Sequence, residues 1–223
     1  MMKLNRTYEN ASELPITLPV FPVAGALLLP RRPIQLTVFE PRYLVMLDDA
    51  LGGERVIGMI QPSAGEEAPE PAPELCAVGC AGRIVQFAEI GDGRCFLTLM
   101  GIARFKVAEE LTTLTPYRRI RAEFAAFPDD LREGAGETEV DRAALVTTLR
   151  DFAKAKELKV DWDDVEKASN EVLVNALSML SPYGVREKQA LLEAADLKSR
   201  AEILVAISQI ELARGADASR QLH

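Results

Sequence analysis

Histidine is nearly absent from this sequence of 223 residues, since its one copy is the final residue, His223. Histidine-dependent nucleophilic catalysis needs an imidazole held rigidly beside its partners, which a terminal residue is not expected to provide. No Gly-Lys dipeptide occurs either, and this excludes a phosphate-binding loop of the Walker A type. We therefore predict a protein that is not an enzyme, has no catalytic residues and binds no cofactor.

Cysteine is also scarce, with three copies at Cys76, Cys80 and Cys95. A closed zinc site needs four ligands, usually at tighter spacing, so these thiols are interpreted as small side chains in or near strands and no metal site is predicted. The odd, small number fits a reducing compartment and predicts a cytoplasmic protein. A cation could bind the carboxylates of the segment 161–166, but acidic residues there are more typical of a helix start.

Positive charge and long apolar runs are lacking as well. The net charge is −8, and neither side of Pro128 carries a basic excess, which disfavours nucleic acid as a partner. No apolar run approaches the length of a membrane span, and Met1–Ile16 does not read as a signal peptide, so no membrane partner is expected.

Proline is plentiful, and five prolines divide the apolar stretch from Leu18 to Tyr43. Proline fixes φ and removes a ladder donor, so each piece is predicted to be an edge or the start of a strand. Pro41 differs because apolar residues at helical spacing follow it. It is predicted to open a helix that ends at Gly52-Gly53, with Glu40 at the positive end of the helix dipole.

Short apolar runs dominate the chain as far as Pro128. Strands are predicted near residues 16–20, 34–38, 56–60, 75–90, 94–100, 104–107 and 117–124. A hairpin is predicted at Gly91-Asp92-Gly93, and an extended Pro- and Glu-rich loop at Gln61–Glu74. Many short strands with one early helix favour a small closed or nearly closed barrel.

Helical periodicity replaces strand periodicity after Pro128. Helix starts are predicted at a Thr138/Asp141 capping box, at Ser169 and at Asp196, and the last helix is predicted to end at Gly215. The predicted organisation is a tail at 1–13, a β-rich domain at 14–128, a linker at 129–138, a helical bundle at 139–214 and a tail at 215–223.

Two motifs resemble the amino-terminal substrate-binding domain of the ATP-dependent Lon proteases. The first is Phe39-Glu40-Pro41-Arg42-Tyr43, which follows a Leu-Pro-x-Phe-Pro segment at Leu18–Pro22, and the second is Gly101 followed by Arg104-Phe105. The resemblance covers roughly residues 14 to 213, and it implies an α+β fold: a PUA-like pseudobarrel followed by a helical bundle. Arg31, which follows Pro30, departs from the family pattern, in which glycine often follows the corresponding proline.

The resemblance implies a stand-alone substrate-recognition domain without ATPase or peptidase modules. The expected partners are unfolded or damaged polypeptides or a protease, bound through exposed apolar surface, and the oligomeric state is left open. Candidate peptide-binding residues are Arg42, Tyr43, Trp162 and Tyr183. A packing role is the preferred interpretation for three of them: Arg42 paired with Glu40 or a loop carbonyl, Tyr43 below the barrel, and Trp162 as a plug between the helices and the barrel. RNA binding and a small-molecule pocket in the barrel remain alternative functions.

Overall fold

The chain folds into a strand-rich unit and a helical unit. The computed structural model describes residues 7–63 and 73–221, with residues 215–221 as backbone only. The first unit takes the described residues up to Glu133 together with Tyr183–Leu192, and the second takes Gly134–Pro182 with the described residues from Glu193 onwards. The strands are β1 (Thr17–Pro22), β2 (Pro33–Val38), β3 (Val56–Pro62), β4 (Leu75–Gly91), β5 (Arg94–Leu111) and β6 (Arg119–Glu123). The helices are α1 (Pro41–Gly52), α2 (Arg142–Ala155), α3 (Trp162–Lys167), α4 (Asn170–Leu180), α5 (Val185–Glu193) and α6 (Leu197–Gln221).

The sheet closes on itself through five strands. Its order is β2-β5-β4-β3-β1-β6, and β6 also pairs with β5, so the ring β5-β4-β3-β1-β6 is complete. A closed ring leaves no unpaired edge. Strand β2 lies outside the ring and pairs with β5 alone among the described strands. The predicted α+β fold with a pseudobarrel and an early helix is confirmed.

Side chains fill the interior of the ring around Phe105, which is fully buried. Gly58 and Gly79 make room for its ring: a Cβ on Gly79 would lie 2.5 Å from Cζ of Phe105 and 2.6 Å from the carbonyl oxygen of Met59. Other fully buried members of this core are Leu18, Val20, Ala81 and Ile120. Strand β4 therefore tolerates only glycine at position 79, where it approaches the ring of Phe105 most closely.

Strand β1 corrects the prediction that each proline-bounded piece is an edge or a strand start. Its first half, Thr17–Pro19, pairs antiparallel with β6, and its second half, Val20–Pro22, pairs parallel with β3. Neighbours therefore lie on both sides of a strand that contains two prolines. The strand exchanges partners at the step from Pro19 to Val20, so neither half needs a full set of ladder donors on both sides.

Helix starts follow the predicted capping chemistry with one change. Helix α1 begins at Pro41 and ends at Gly52, as predicted. The side chain of Ser169 accepts from the N–H of Val172 at 3.3 Å, and Asp196 accepts from the N–H of Ser199 at 2.7 Å. At α2 the cap is Asp141 alone, which accepts from the N–H of Ala144 at 3.0 Å, because Thr138 lies in a preceding 3-10 turn.

The structure divides the chain differently from the predicted 129–138 linker and continuous helical bundle. Residues up to Glu133 belong to the strand-rich unit, where Asp130 is buried. Most of α5 belongs to that unit as well, although its sequence lies between helices of the other. Both differences arise because polar residues of these segments pair with groups of the barrel, which apolar periodicity does not reveal.

The predicted terminal tails and the predicted loop are shorter than expected within the described residues. Tyr8 is buried in the barrel core, and the guanidinium of Arg83 donates to its hydroxyl at 2.6 Å. Helix α6 continues through Gly215 to Gln221. Gln61 and Pro62 belong to β3, while residues 64–72 of the predicted loop lie outside the described residues, as does His223.

Candidate functional site

The Phe39–Tyr43 motif has one buried and one exposed aromatic ring, both in the strand-rich unit, called the barrel unit below. Tyr43 is buried, and its ring lies 4.4 Å from the ring of Phe21 between centroids. Burial raises the pKa of its hydroxyl, although the charge of nearby Arg42 opposes this. Phe39, four residues earlier, is 62% exposed. These contacts support the packing role that was preferred for Tyr43 from the sequence.

Arg42 lies at the start of α1 beside Tyr43. Its Nη2 is 2.7 Å from the carboxylate of Glu40, and its guanidinium lies 4.8 Å from the centroid of the Tyr43 ring. Both charged side chains are about half exposed. Arg42 thus covers the outer face of a buried tyrosine while its own charge stays in solvent, an arrangement that leaves it accessible to a ligand.

Trp162 and Tyr183 are the other two candidates from the sequence, and they belong to different units. Trp162 opens α3 in the helical unit, where it is half-buried and the guanidinium of Arg150 lies 5.0 Å from its ring. Tyr183 belongs to the strand-rich unit and is buried. Of the four candidates, Arg42 and Tyr43 are the pair that the structure brings into contact.

The second motif, Gly101 to Phe105, contributes buried contacts within the strand-rich unit. Gly101 is required because a Cβ there would lie 2.0 Å from the carbonyl oxygen of Leu29. Arg104 is buried and binds the carboxylate of Asp130 through two nitrogens, with Nη2 at 2.7 Å and Nε at 2.9 Å from its oxygens. Its Nη1 donates to the carbonyl of Leu192 at 3.0 Å. This motif is therefore structural.

Arg31 occupies a turn that favours glycine. Its φ is 60°, in the left-handed region, where a side chain adds strain of about 1 kcal/mol. Its N–H donates to the carbonyl of Gly101 at 2.9 Å, and its guanidinium donates to the carbonyl of Asp130. The departure from the family pattern thus keeps the glycine-type conformation and adds a side-chain contact.

A polar network missed by the sequence interpretation holds α5 to the barrel. The amide of Gln61, fully buried on β3, accepts from the N–H of Gly25 at 2.9 Å and donates to the side chain of Gln189 at 2.9 Å. Gln189 in turn donates to the carbonyl of Val78 at 3.2 Å, and Lys188 donates to the carbonyl of Gly25 at 2.9 Å. Burial lowers the pKa of Lys188. A lone glutamine ending an apolar run was the only sequence signal of this network.

Side-chain groups that could hold a metal ion are not found within residues 7–63 and 73–221. No cluster of three or more of these side chains occurs there, and none of the three cysteines forms a disulfide. Asp161 caps α3 by accepting from the N–H groups of Asp163 and Asp164, in agreement with the helix-start interpretation. No helix of the same described part is long and apolar enough to cross a bilayer.

A cavity of about 340 Å³ lies in the helical unit, between α6 and the residues that lead into α2. The predicted alternative placed a pocket in the barrel, whose interior around Phe105 is filled by side chains. Small aliphatic, charged and polar side chains line the cavity: Glu139, Asp141, Ala144, Lys198, Ala201, Glu202, Val205, Ala206 and Gln209.

The most exposed apolar surface of the sheet lies where β2 pairs with β5 outside the ring. We call β2 with the paired segments 94–100 of β5 and 84–91 of β4 the open strip. In its cross-strand rows, Leu36 lies opposite Leu97 and Phe87, and Val38 lies opposite Cys95 and Glu89. Four apolar side chains on or directly after these strands are 38–62% exposed: Phe39, Val85, Phe87 and Ile90.

These exposed side chains were not predicted, because period-two patterns do not show where a sheet extends beyond its barrel. Phe39 directly follows Val38, and Ile90 directly follows Glu89, so both lie beyond the same cross-strand row. Several exposed apolar side chains on one part of a sheet make it a candidate interaction surface.

Sequence comparison places most of the chain in one family. The model of the family described as the ATP-dependent protease La (LON) substrate-binding domain matches residues 17–208. The Lon protease of Anaeromyxobacter dehalogenans is 28% identical over 205 residues, which cover 88% of this chain and 23% of that protein. Lon protease 2 of Myxococcus xanthus is 26% identical over 205 residues, with 88% and 24% covered. The chain thus spans about a quarter of the length of these curated relatives.

Solved structures show the same fold. The crystal structure of a Lon N-terminal domain protein from Xanthomonas campestris matches with a TM-score of 0.59 and 24% identity, covering 85% of this chain and 97% of that one. The N-terminal domain of the Mycobacterium avium complex Lon protease matches with a TM-score of 0.64 and 18% identity, covering 86% and 98%. Because the family model covers most of its length, the chain belongs to the Lon substrate-binding domain family.

Proposed function

We propose that this protein is a non-catalytic recognition module that binds unfolded or damaged polypeptides. The observation that carries the proposal is the exposed apolar group on the open strip, Phe39, Val85, Phe87 and Ile90. Unfolded chains expose the apolar side chains that folded chains bury, so apolar contact distinguishes the two. The family's description as a substrate-binding domain supports this function, and a protease is the partner that it implies.

The charges of the molecule support polypeptide over RNA as the ligand. The net charge is −8, and several arginines of the barrel unit are already engaged with acceptors of the same unit. Arg118 binds the carboxylate of Glu110 through two nitrogens at 2.6 Å, and Arg104 is buried against Asp130. Phosphate neutralisation dominates RNA affinity and needs free cations in a stripe or patch. Cysteines that form no disulfide fit a reducing cytoplasm, where we place the protein.

Salt separates apolar from phosphate recognition. We expect a reduced and alkylated unfolded protein to bind at about micromolar Kd, roughly −8 kcal/mol, with little loss on adding salt. Single-stranded RNA should show no saturable binding at physiological salt. The measurement is fluorescence anisotropy with both labelled ligands across a salt series. Steeply salt-sensitive RNA binding without polypeptide binding would overturn the proposal.

The same proposal predicts the absence of turnover. The purified chain should neither hydrolyse ATP nor cleave casein above a buffer control, because the sequence lacks a Walker A loop and a positioned histidine. Coupled phosphate release and casein fluorescence measure the two activities. Turnover that survives repurification and disappears on replacing one serine would contradict this prediction.

A further inference from the structure

Strand β2 has one free edge. It pairs with β5 from Pro33 opposite Met100 to Val38 opposite Cys95, and no other described strand lies on its far side. A free edge presents main-chain N–H and C=O groups that water or another chain must satisfy. The residues whose groups face this edge follow from the hydrogen-bond pattern of the ladder.

The alternation of the ladder is fixed by Gly101. Its N–H donates to the carbonyl of Arg32 at 2.9 Å, and its carbonyl accepts from the N–H of Arg31 at 2.9 Å, so the main-chain groups of Gly101 face the β2 side. Hydrogen-bonded and non-hydrogen-bonded pairs alternate along an antiparallel ladder. The main-chain groups of Ile34, Leu36 and Val38 therefore face β5, while those of Pro33, Gln35 and Thr37 face the free edge.

Pro33 agrees with this assignment, since a residue without an N–H is tolerated where the N–H would point away from the sheet. The remaining outward groups belong to Gln35 and Thr37, whose side chains are exposed. Natural edge strands are commonly protected by charged side chains or bulges. The segment Ile34-Gln35-Leu36-Thr37-Val38 carries no charge, and it pairs with β5 without a bulge.

We propose that the free edge of β2 binds an extended segment of a non-native polypeptide as an added strand. The inference rests on the proposed function and specifies how the ligand is held. Outward N–H and C=O groups on alternate residues repeat at about 7 Å, a spacing that an extended main chain matches whatever its side chains are. Main-chain recognition suits a module whose clients share no sequence, and side chains then add selectivity.

The selectivity expected of the added strand follows from the two faces of β2. Ile34 and Leu36 are half-buried and share a face with Leu97 and Leu99, which are fully buried. Gln35 and Thr37 point to the opposite, exposed face. A client segment with apolar residues at every second position would extend the apolar face. Period-two sequences should therefore bind better than scrambled ones of equal composition.

Backbone methylation tests the hydrogen bonds without changing this chain. The probe is a labelled eight-residue peptide of alternating valine and threonine with terminal lysines, together with two versions N-methylated on the complementary sets of alternate residues. We expect one version to lose affinity at least about tenfold, because its methyl groups replace the N–H groups that face β2, while the other keeps most of it. Equal affinity of the two methylated versions would overturn the inference.

Proline substitution tests the same bonds from the protein side. The double variant Gln35→Pro with Thr37→Pro removes two outward N–H groups, and Gln35→Ala with Thr37→Ala is the matched control that removes only the side chains. With melting temperatures checked, the proline variant should bind the unmethylated peptide at least about tenfold more weakly than the alanine control. Equal binding by the two variants would contradict added-strand recognition.

The controls keep this inference separate from the proposed function. If the wild-type protein binds neither the peptide nor the unfolded protein, the proposed function fails together with its mode. If it binds both but is insensitive to methylation and to proline, only the added strand is wrong. Sedimentation of the wild type and the proline variant is the last arm: a dimer that the proline variant loses would show that the edge pairs with a second copy, which would overturn the proposed occupant.

Discussion

One strand, β5, runs through two very different surroundings. In the ring, its residues Ala103 and Phe105 are buried and pair with Ala81 and Gly79 of β4. In the open strip, its first residues are exposed or half-buried, and β2 closes one side with nothing beyond it among the described strands. Both parts contain buried side chains, but the exposed apolar side chains of the sheet strands, Val85, Phe87 and Ile90, lie in the strip. Substitutions in the two parts should therefore separate stability from binding.

The largest effect is expected at the buried ion pair of the ring. Asp130→Ala leaves the guanidinium of Arg104 buried without its carboxylate, which should lower the free energy of unfolding by about 3–5 kcal/mol. Denaturation in urea, followed by circular dichroism, measures the change. Arg42→Ala is the control, because its pair with Glu40 is exposed and should matter by less than about 1 kcal/mol. Similar losses in the two variants would contradict the distinction between ring and surface.

The second effect contrasts two aromatic residues of one motif. Tyr43→Ala removes a ring packed on Phe21 and should lower the free energy of unfolding by about 3 kcal/mol. Phe39→Ala removes a ring that is 62% exposed, so it should change stability by less than about 1 kcal/mol. Phe39→Ala should instead weaken binding of unfolded protein in the anisotropy assay. A Tyr43 variant with an unchanged melting temperature and weakened binding would reverse these two roles.

The third effect contrasts two glycines. Gly79→Ala forces a Cβ to within 2.5 Å of Phe105 and 2.6 Å of the Met59 carbonyl, and overpacking of this kind should destabilise the ring by about 2–3 kcal/mol. Gly93→Ala, at the hairpin of the open strip, meets no atom within 4 Å but has a φ of +69°. The strain there should be about 1 kcal/mol. Thermal unfolding of the two variants side by side makes the comparison.

The smallest effect is the pH-dependent stabilisation by an ion pair beside the β5–β6 pairing. The hydrogen bonds from Arg118 lower the pKa of Glu110, whose side chain is 45% exposed. A carboxylate with a lowered folded-state pKa stabilises the fold above its ordinary pKa, and this stabilisation is lost as the pH falls through the folded-state value. Solvent screening limits the effect to less than about 1 kcal/mol.

Urea denaturation between pH 7 and pH 3 of the wild type and Glu110→Gln measures this contribution. The variant should be less stable at pH 7, and the difference should shrink as the pH falls below about 4.5. A difference that is constant with pH would show that the hydrogen bonds rather than the charge matter.

Local chemistry explains which parts of the fold the sequence predicts. Pro41 and Gly52-Gly53 define α1, and Gly91-Asp92-Gly93 defines the β4–β5 hairpin, with φ values of +87°, +52° and +69°. Ser169 and Asp196 also cap helices as predicted. These signals depend on neighbouring residues, so one sequence window contains them.

Long-range polar pairing explains what the sequence does not predict. Gln61 was assigned to a loop, yet it is fully buried because Gln189 and Gly25 complete its hydrogen bonds. Asp130 was assigned to a linker, yet Arg104 draws it into the barrel unit. At the candidate site, the sequence motif identified Tyr43. It did not identify Phe87 and Ile90, because their exposure depends on how far the β4–β5 hairpin extends beyond the ring.

The placement of α5 also limits how this protein can be divided. The chain passes from the barrel unit to the helical unit after Glu133, returns at Tyr183 and leaves again after Leu192. A fragment that stopped at Glu133 would lack Gln189, which binds Gln61, and the Leu192 carbonyl that accepts from Arg104. Each unit consists of two separate stretches of the chain, so neither can be isolated by one cut or exchanged by one recombination event. Swapping the helical part between relatives would require junctions on both sides of α5, and the exchanged pieces would have to be chosen as a set.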